Sequence, residues 1–304
     1  MLQRTRRGVV CSAVLRMVLL AMLYSLALAG RPAAADPVSA DPAPDASARA
    51  GMEELSIDSH GAALYGVFYR AAGAGAHGTV VLLHGFPGFE QNQDLAQVLR
   101  RAGWNALIFH YRGAWGSQGE YSFSHSIEDV QAVLAYLRTP ASAERFRVDP
   151  QRLVLVGHSV GGVLAGVVAA GDRGILAVAM ISAANRRLAM ARPGWEPQLT
   201  EHFRAEMGPL RGTTPQALMT ELKAHAQQWD LVQLAPLWKP RPVLIVRSDD
   251  AFDAEDAAFA AVARASDPAH VTDVHLATDH AYSDARIALA RAVLTWIGGL
   301  DAAP

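Results

Sequence analysis

The chain reads as an α/β protein, a mostly parallel sheet with helices on both faces, and three observations carry that reading. Short apolar runs rich in β-branched residues, among them Thr79 to His84, Leu153 to Val156 and Val243 to Val246, lack the polar alternation of a half-exposed strand. That is the pattern of strands buried on both faces. These runs alternate with segments of helical period, as βαβ units require. Between Ile181 and Pro242 the alternation stops: helix formers and the large apolar residues Trp195, Phe203, Met207, Trp229 and Trp238 take over with no convincing strand. This predicts a helical cap insertion over 186–240 within a domain spanning 51–300.

Taken in order, Leu55 to Asp58 and Ala63 to Tyr69 predict a leading antiparallel pair, and Thr79 to His84 a buried strand. Asp94 is placed to cap a helix over Leu95 to Ala102 that Gly103 ends. Asn105 to His110 is the next strand. Ser126 is expected to cap a helix running to about Arg138, whose apolar residues Val130, Val133, Leu134 and Leu137 share one face. The strand Leu153 to Val156 leads into Val160 to Ala170, a helix so small and apolar that it must be buried on most sides. Strands follow at Ile175 to Ile181, Val243 to Val246 and His270 to Leu276, and Ala285 to Ile297 is the closing helix. No repeat of solenoid or propeller length is visible.

The 304 residues are 51% hydrophobic and 18% charged with a mean hydropathy of +0.12, and part of the apolar excess sits at the start. Arg4, Arg6 and Arg7 precede an apolar run, Met17 to Ala29, and small residues follow at Ala27 to Ala29 and Ala33 to Ala35. This is the layout of a signal peptide over 1–35, cleaved after Ala29 or Ala35, and it predicts a periplasmic or secreted protein. Arg16 and Arg31 leave an uncharged run too short for a spanning helix, which needs about 20 residues, so no stable membrane anchor is expected after cleavage. Residues 36–50, rich in Pro, Ala and Asp, read as a flexible leader.

Removing 1–35 lowers Lys plus Arg from 27 to 22 against 29 acids, a net charge of −7. No nucleic-acid partner is expected on electrostatic grounds. The sole cysteine, Cys11, leaves with the signal, which excludes disulfides, thiolate catalysis and Cys-ligated zinc from the mature chain. No cofactor or metal is called for.

The chemistry-bearing segment is Gly157-His158-Ser159-Val160-Gly161-Gly162, between a strand and a helix. A sharp strand-to-helix turn exposes the Ser159 hydroxyl at the carboxyl edge of the sheet, and only small residues fit two positions either side of it. The turn aims the Val160 amide at an oxyanion beside the serine, reinforced by the helix dipole. A second donor is expected from His84-Gly85-Phe86-Pro87-Gly88: the Phe86 N–H, since Pro87 has none. The segment His110 to Ser117 lies at the same edge, where Arg112 is read as a buried tie between loops rather than a specificity residue.

The order strand-HGFPG, strand-HYRG, strand-GHSVGG, strand-insertion, strand-Asp, strand-His resembles the α/β-hydrolase fold over nearly all of 52–298. The GxSxGG form and the segment Asp279 to Ser283 are similar to branches near the dienelactone hydrolases and prolyl oligopeptidases, which include esterases and peptidases. The resemblance implies a triad in the order Ser, acid, His. It makes His280, between the last strand and last helix, the base, since His275 falls within the strand. The acid comes from the loop after Val246, where the register is ambiguous: Asp250 is preferred, Asp249 is the alternative, and Asp253, Glu255 and Asp256 are read as the negative first turn of the next helix.

The expected function is an exported serine hydrolase that cleaves a small-molecule carboxylic ester through an acyl-enzyme, with Ser159, His280 and Asp250 as triad and Phe86 and Val160 as oxyanion donors. A peptidase or amidase on short peptides and a non-catalytic binding protein on the same scaffold are the alternatives. The Trp and Met content of the insertion points to an apolar acyl pocket or to the packing face of a lid.

Overall fold

The computed structural model describes residues 35–187 and 189–301. The expected export signal, up to residue 34, lies outside them. The chain divides into two compact units, Met1–Pro42 and Ala43–Pro304. In the first, the Ser39 and Ala40 amides donate to the Asp36 carbonyl in a short turn.

The second unit opens with the antiparallel pair β1 (Gly51–Ser59) and β2 (Ala62–Arg70). There follow β3 (His77–Leu83), α1 (Gln93–Arg101), β4 (Asn105–Phe109), α2 (Phe123–Leu137), α3 (Pro140–Phe146), β5 (Val148–His158), α4 (Val160–Gly171) and β6 (Ala177–Ile181). A helical stretch holds α5 (Trp195–Ala205), α6 (Pro215–Ala224) and α7 (Leu231–Leu234). The chain then adds β7 (Val243–Ser248), α8 (Asp253–Ser266), β8 (Val271–Leu276) and α9 (Arg286–Asp301). The eight strands form one sheet in the order β1-β2-β4-β3-β5-β6-β7-β8, parallel from β4 onward. Because β4 and β5 lie on opposite sides of β3, the order reverses there, and the loops leaving β3 and β5 emerge side by side at the carboxyl edge. That is where an open α/β sheet presents its crevice.

Two caps differ from the sequence expectation. The residue before α1 is Asn92, in a left-handed conformation, and the Asp94 carboxylate is instead held by Arg286 at 2.5 and 2.8 Å. Ser122, not Ser126, caps α2: its extended backbone lets its Oγ accept the His125 amide at 3.0 Å, while Ser126 sits one turn inside and donates back to the Ser122 carbonyl. The short helix α3 was not expected from the sequence, yet Thr139 followed by Pro140 is a cap and first-turn signal.

The insertion packs as part of the core. Phe203 of α5 and Leu218 and Met219 of α6 are buried in the cluster that also holds Phe123 and Leu164. Glu221 of α6 accepts the free amides of Phe123 and Ser124 at 2.9 and 2.8 Å, so a cap-segment carboxylate satisfies the N-terminus of α2. Arg211 pairs through its backbone with Gly113 and Tyr121, and an isolated bridge joins Ala114 to Leu210. Among the described residues the insertion contains helices and this one bridge but no strand. Arg112 is buried and its Nε donates to Asp129 at 2.6 Å, so it ties the loop after β4 to α2 as the sequence implied.

Candidate active site

Buried along its last six residues, β5 delivers Ser159 into α4 through one residue of unusual backbone, φ 57° and ψ −122°. A non-glycine residue held there costs about 1–3 kcal/mol and persists only where its surroundings over-determine it. They do: the Ser159 amide donates to the Ile181 carbonyl at 2.9 Å, and its carbonyl accepts the Gly162 and Ala184 amides, both at 3.0 Å. Glycine is obligatory on either side. A Cβ on Gly157 would lie 1.9 Å from the Gly161 oxygen, and one on Gly161 would lie 2.1 Å from the Leu83 oxygen.

From the loop after β3, Gly85 presses on the same serine; a Cβ there would sit 2.8 Å from Ser159 Cβ and 3.3 Å from its Oγ. Gly85→Ala should therefore lower ester kcat/KM by roughly 10–100-fold, the scale of a misplaced reacting group. Thermal unfolding should shift by only a few degrees. A steady-state assay beside a melt checks both. Next to it, the Phe86 N–H donates to no acceptor among the described residues. Val160, first in α4, has no carbonyl within the helix for its own N–H. The Phe86 ring is held edge-on by Phe203 of the insertion, with centroids 5.0 Å apart.

His280 follows β8 in a turn closed by Tyr282 N–H to Asp279 O at 3.0 Å and Ser283 N–H to Asp279 Oδ1 at 2.8 Å. Its Nδ1 lies 2.7 Å from Asp250 Oδ2. Asp249 points elsewhere, with its carboxylate 3.0 Å from Nε2 of His275 on β8. Burial pushes the Asp250 carboxyl up, but hydrogen bonds from His280, the Phe252 amide, Ser182 and Ser248 outweigh it and hold the carboxyl down at about 2. Asp250 is thus an anion throughout the neutral range, able to fix the imidazole tautomer with hydrogen on Nδ1.

Several supporting groups escaped the sequence reading. Ser248 Oγ donates to Asp250 Oδ2 at 2.9 Å and is 2.8 Å from Ser182 Oγ, which is 2.9 Å from the Tyr282 hydroxyl. This buried hydroxyl chain links β6, β7 and the His280 turn beneath the carboxylate. His158, beside the serine, is buried, and desolvation lowers its pKa to about 3. Its neutral ring places Nε2 2.7 Å from the His280 carbonyl, an arrangement that calls for hydrogen on Nε2 and anchors the backbone of the histidine loop. Its place in the Gly-His-Ser-x-Gly run was the available signal, but no local pattern shows which carbonyl it meets 122 residues away.

In the first turn of α8, Glu255 and Asp256 are buried, which the reading as a negative helix start did not anticipate. Burial first, and repulsion from Asp250 second, push the Asp256 carboxyl well above its usual range. An acid whose pKa rises on folding contributes stability in full below its unfolded value, 3.8, and loses it as the pH climbs. Asp256→Asn should remove that loss. Its melting temperature should exceed wild type at pH 8 by roughly 2–4 °C per kcal/mol recovered, and the gain should shrink toward pH 4. A pH-independent offset between the two melting curves would overturn the account.

Ser159 and His280 line one cleft of about 370 Å³, together with Phe86, Phe252 and residues of the insertion that include Trp195, Leu199 and His202. A second, small apolar pocket of about 40 Å³ lies against α4, lined by Val160, Phe123, Met190 and Trp229. Arg186 borders both. The arrangement offers a hydroxyl on a strained turn, an imidazole oriented by a carboxylate, and the amides of Phe86, in the same cleft, and of Val160, next in the chain, the kinds of group needed for acyl transfer.

Residues 80–292 match the Alpha/beta hydrolase family, and the chain belongs to it. Among solved structures it is similar to Est1E from Butyrivibrio proteoclasticus with ferulic acid bound, with a TM-score of 0.64 at 20% identity, covering 82% of this chain and 100% of that one. It is also similar to the Pyrococcus furiosus esterase Pf2001, with a TM-score of 0.61 at 16% identity over 82% of this chain and 92% of that one. In sequence it is 36% identical over 107 residues to the uncharacterized protein YfhR of Escherichia coli strain K12. That match covers 34% of this chain and 36% of the relative, so the chain aligns with about a third of the length of the curated relatives it matches.

Proposed function

We propose that the protein is an exported carboxylic-ester hydrolase working through an acyl-serine intermediate. The observation that carries this reading is the meeting, in one cleft, of Ser159 on its strained turn with His280, whose Nδ1 is bonded to Asp250. Ser159 Oγ attacks the acyl carbonyl while His280 accepts its proton; the Phe86 and Val160 amides hold the tetrahedral oxyanion. Collapse expels the alcohol, protonated by His280, and water then enters by the same route in reverse to release the acid and free serine. The scaffold carries ester chemistry in Pf2001, which is an esterase, and holds ferulic acid in Est1E, which supports the choice of ester over other acyl substrates. Export rests on the basic and apolar start of the sequence.

The apolar pocket beside Val160 is assigned to the acyl group. A series of 4-nitrophenyl esters from acetate to decanoate should show kcat/KM rising to a maximum and falling once the pocket is full. Met190→Trp should move that maximum to a shorter chain. A profile that Met190→Trp leaves in place would remove the pocket from the acyl path.

A further inference from the structure

Arg186 stands apart from the other arginines at or near the core. Arg112 is met by Asp129, Arg247 by Asp273 and Arg286 by Asp94, and Arg241 is met by three carbonyls. The Arg186 guanidinium makes no hydrogen bond or ion pair with any described residue; it lies over the Phe252 ring, 5.0 Å from its centroid, and faces the cleft that holds Ser159 and His280. Glu255 is the carboxylate whose field reaches it, and Glu255 Oε1 already accepts the Ala189 amide at 2.9 Å. Burial lowers the pKa of Arg186 only to about 10, so it stays cationic at neutral pH. On the cleft's outer side Arg192 adds a second cation, and no Asp or Glu is among the described residues that line the cleft. A partly desolvated guanidinium with its fork unused is costly to keep, and a carboxylate is the group its planar geometry fits in bidentate fashion. An acidic chain that collects two cations and no anion in the wall of its cleft selects by charge.

The geometry points to an ester substrate that carries a carboxylate, held by Arg186 and supported by Arg192, while Ser159 attacks the ester carbonyl. This inference rests on the acyl-serine reading above and adds the substrate class. The aromatic face of Phe252 keeps the guanidinium in place and shields the ion pair from solvent.

The test compares matched substrates differing by one carboxylate: 4-nitrophenyl butyrate against mono-4-nitrophenyl glutarate for a charge on the acyl side, and phenyl acetate against 4-carboxyphenyl acetate for a charge on the leaving group. The readout is the charged-to-neutral ratio of kcat/KM, so a general loss of activity cancels. In at least one pair the ratio should fall by roughly 10–100-fold in Arg186→Met, which preserves the apolar stem, and by a smaller factor in Arg192→Met. The wild-type ratio should also fall as salt is raised. Arg192 is exposed, so its replacement keeps the test open should Arg186→Met fold poorly. Ratios unchanged in both variants and in both pairs overturn the inference while leaving the esterase reading intact. If wild type hydrolyses none of the four, the esterase reading falls, and calorimetric titration of the folded protein with glutarate and 4-hydroxybenzoate decides the anion site: binding that Arg186→Met abolishes upholds it, and no binding overturns it.

Discussion

Ser159→Ala should lower the turnover of a nitrophenyl ester by roughly 10⁶-fold, because a nucleophile and base acting as a unit lose their joint contribution when either is removed. Alanine keeps the Cβ and meets the same backbone at φ 57°, so the fold should survive and the melting temperature should stay within a few degrees of wild type. The strain remains while the chemistry goes. Labelling by a fluorophosphonate probe should vanish in parallel, which separates loss of the nucleophile from loss of substrate binding. A variant that retained ester turnover above a few per cent of wild type would remove Ser159 from the mechanism, whatever the cleft around it looks like.

Asp250→Asn should cost roughly 10⁴-fold in kcat, with a far smaller effect on KM. The amide can present its NH₂ to Nδ1 and so favour the wrong imidazole tautomer, and it removes the negative charge that stabilises the imidazolium formed as Ser159 gives up its proton. Ser248 Oγ and the Phe252 amide, which now donate to the carboxylate at 2.9 and 2.7 Å, would each face an altered partner. Asp249→Asn is the matched control: its carboxylate contacts His275 at the exposed edge of β8, and its loss should change kcat by no more than severalfold. Equal losses in the two variants would overturn the assignment of roles.

The neighbouring aspartates also show where sequence reasoning ran out. Asp249 and Asp250 are adjacent, equally acidic and follow the same strand, so no pattern of composition or period separates them. They diverge because Ser248 ends β7 buried on its Ser182 side, after which the turn to Phe252 directs Asp250 toward His280 and leaves Asp249 along the edge facing His275. The caps failed for a similar reason. Ser122 and Ser126 are identical residues one helical turn apart, and the tertiary pairing of Glu221 with the Phe123 and Ser124 amides selects the earlier start. Arg186 and Asp256 carry no signal in a one-dimensional reading, since one looks like any surface arginine and the other like any acid in a helix's first turn.

What the sequence by itself determined is local and stereochemical. Buried strands show as continuous apolar runs, and the strand-turn-helix around Ser159 shows because only glycine can stand at 157 and 161, where a Cβ would collide with backbone. What only the tertiary structure decided is which side chains meet: Asp250 rather than Asp249 against His280, His158 under the His280 carbonyl, and Arg186 over the Phe252 ring in the wall of the cleft, with no ion pair among the described residues. Those contacts join residues 30 to 122 positions apart. They depend on strand order and loop direction, which arise from burying the whole sheet at once and are not encoded at any one site.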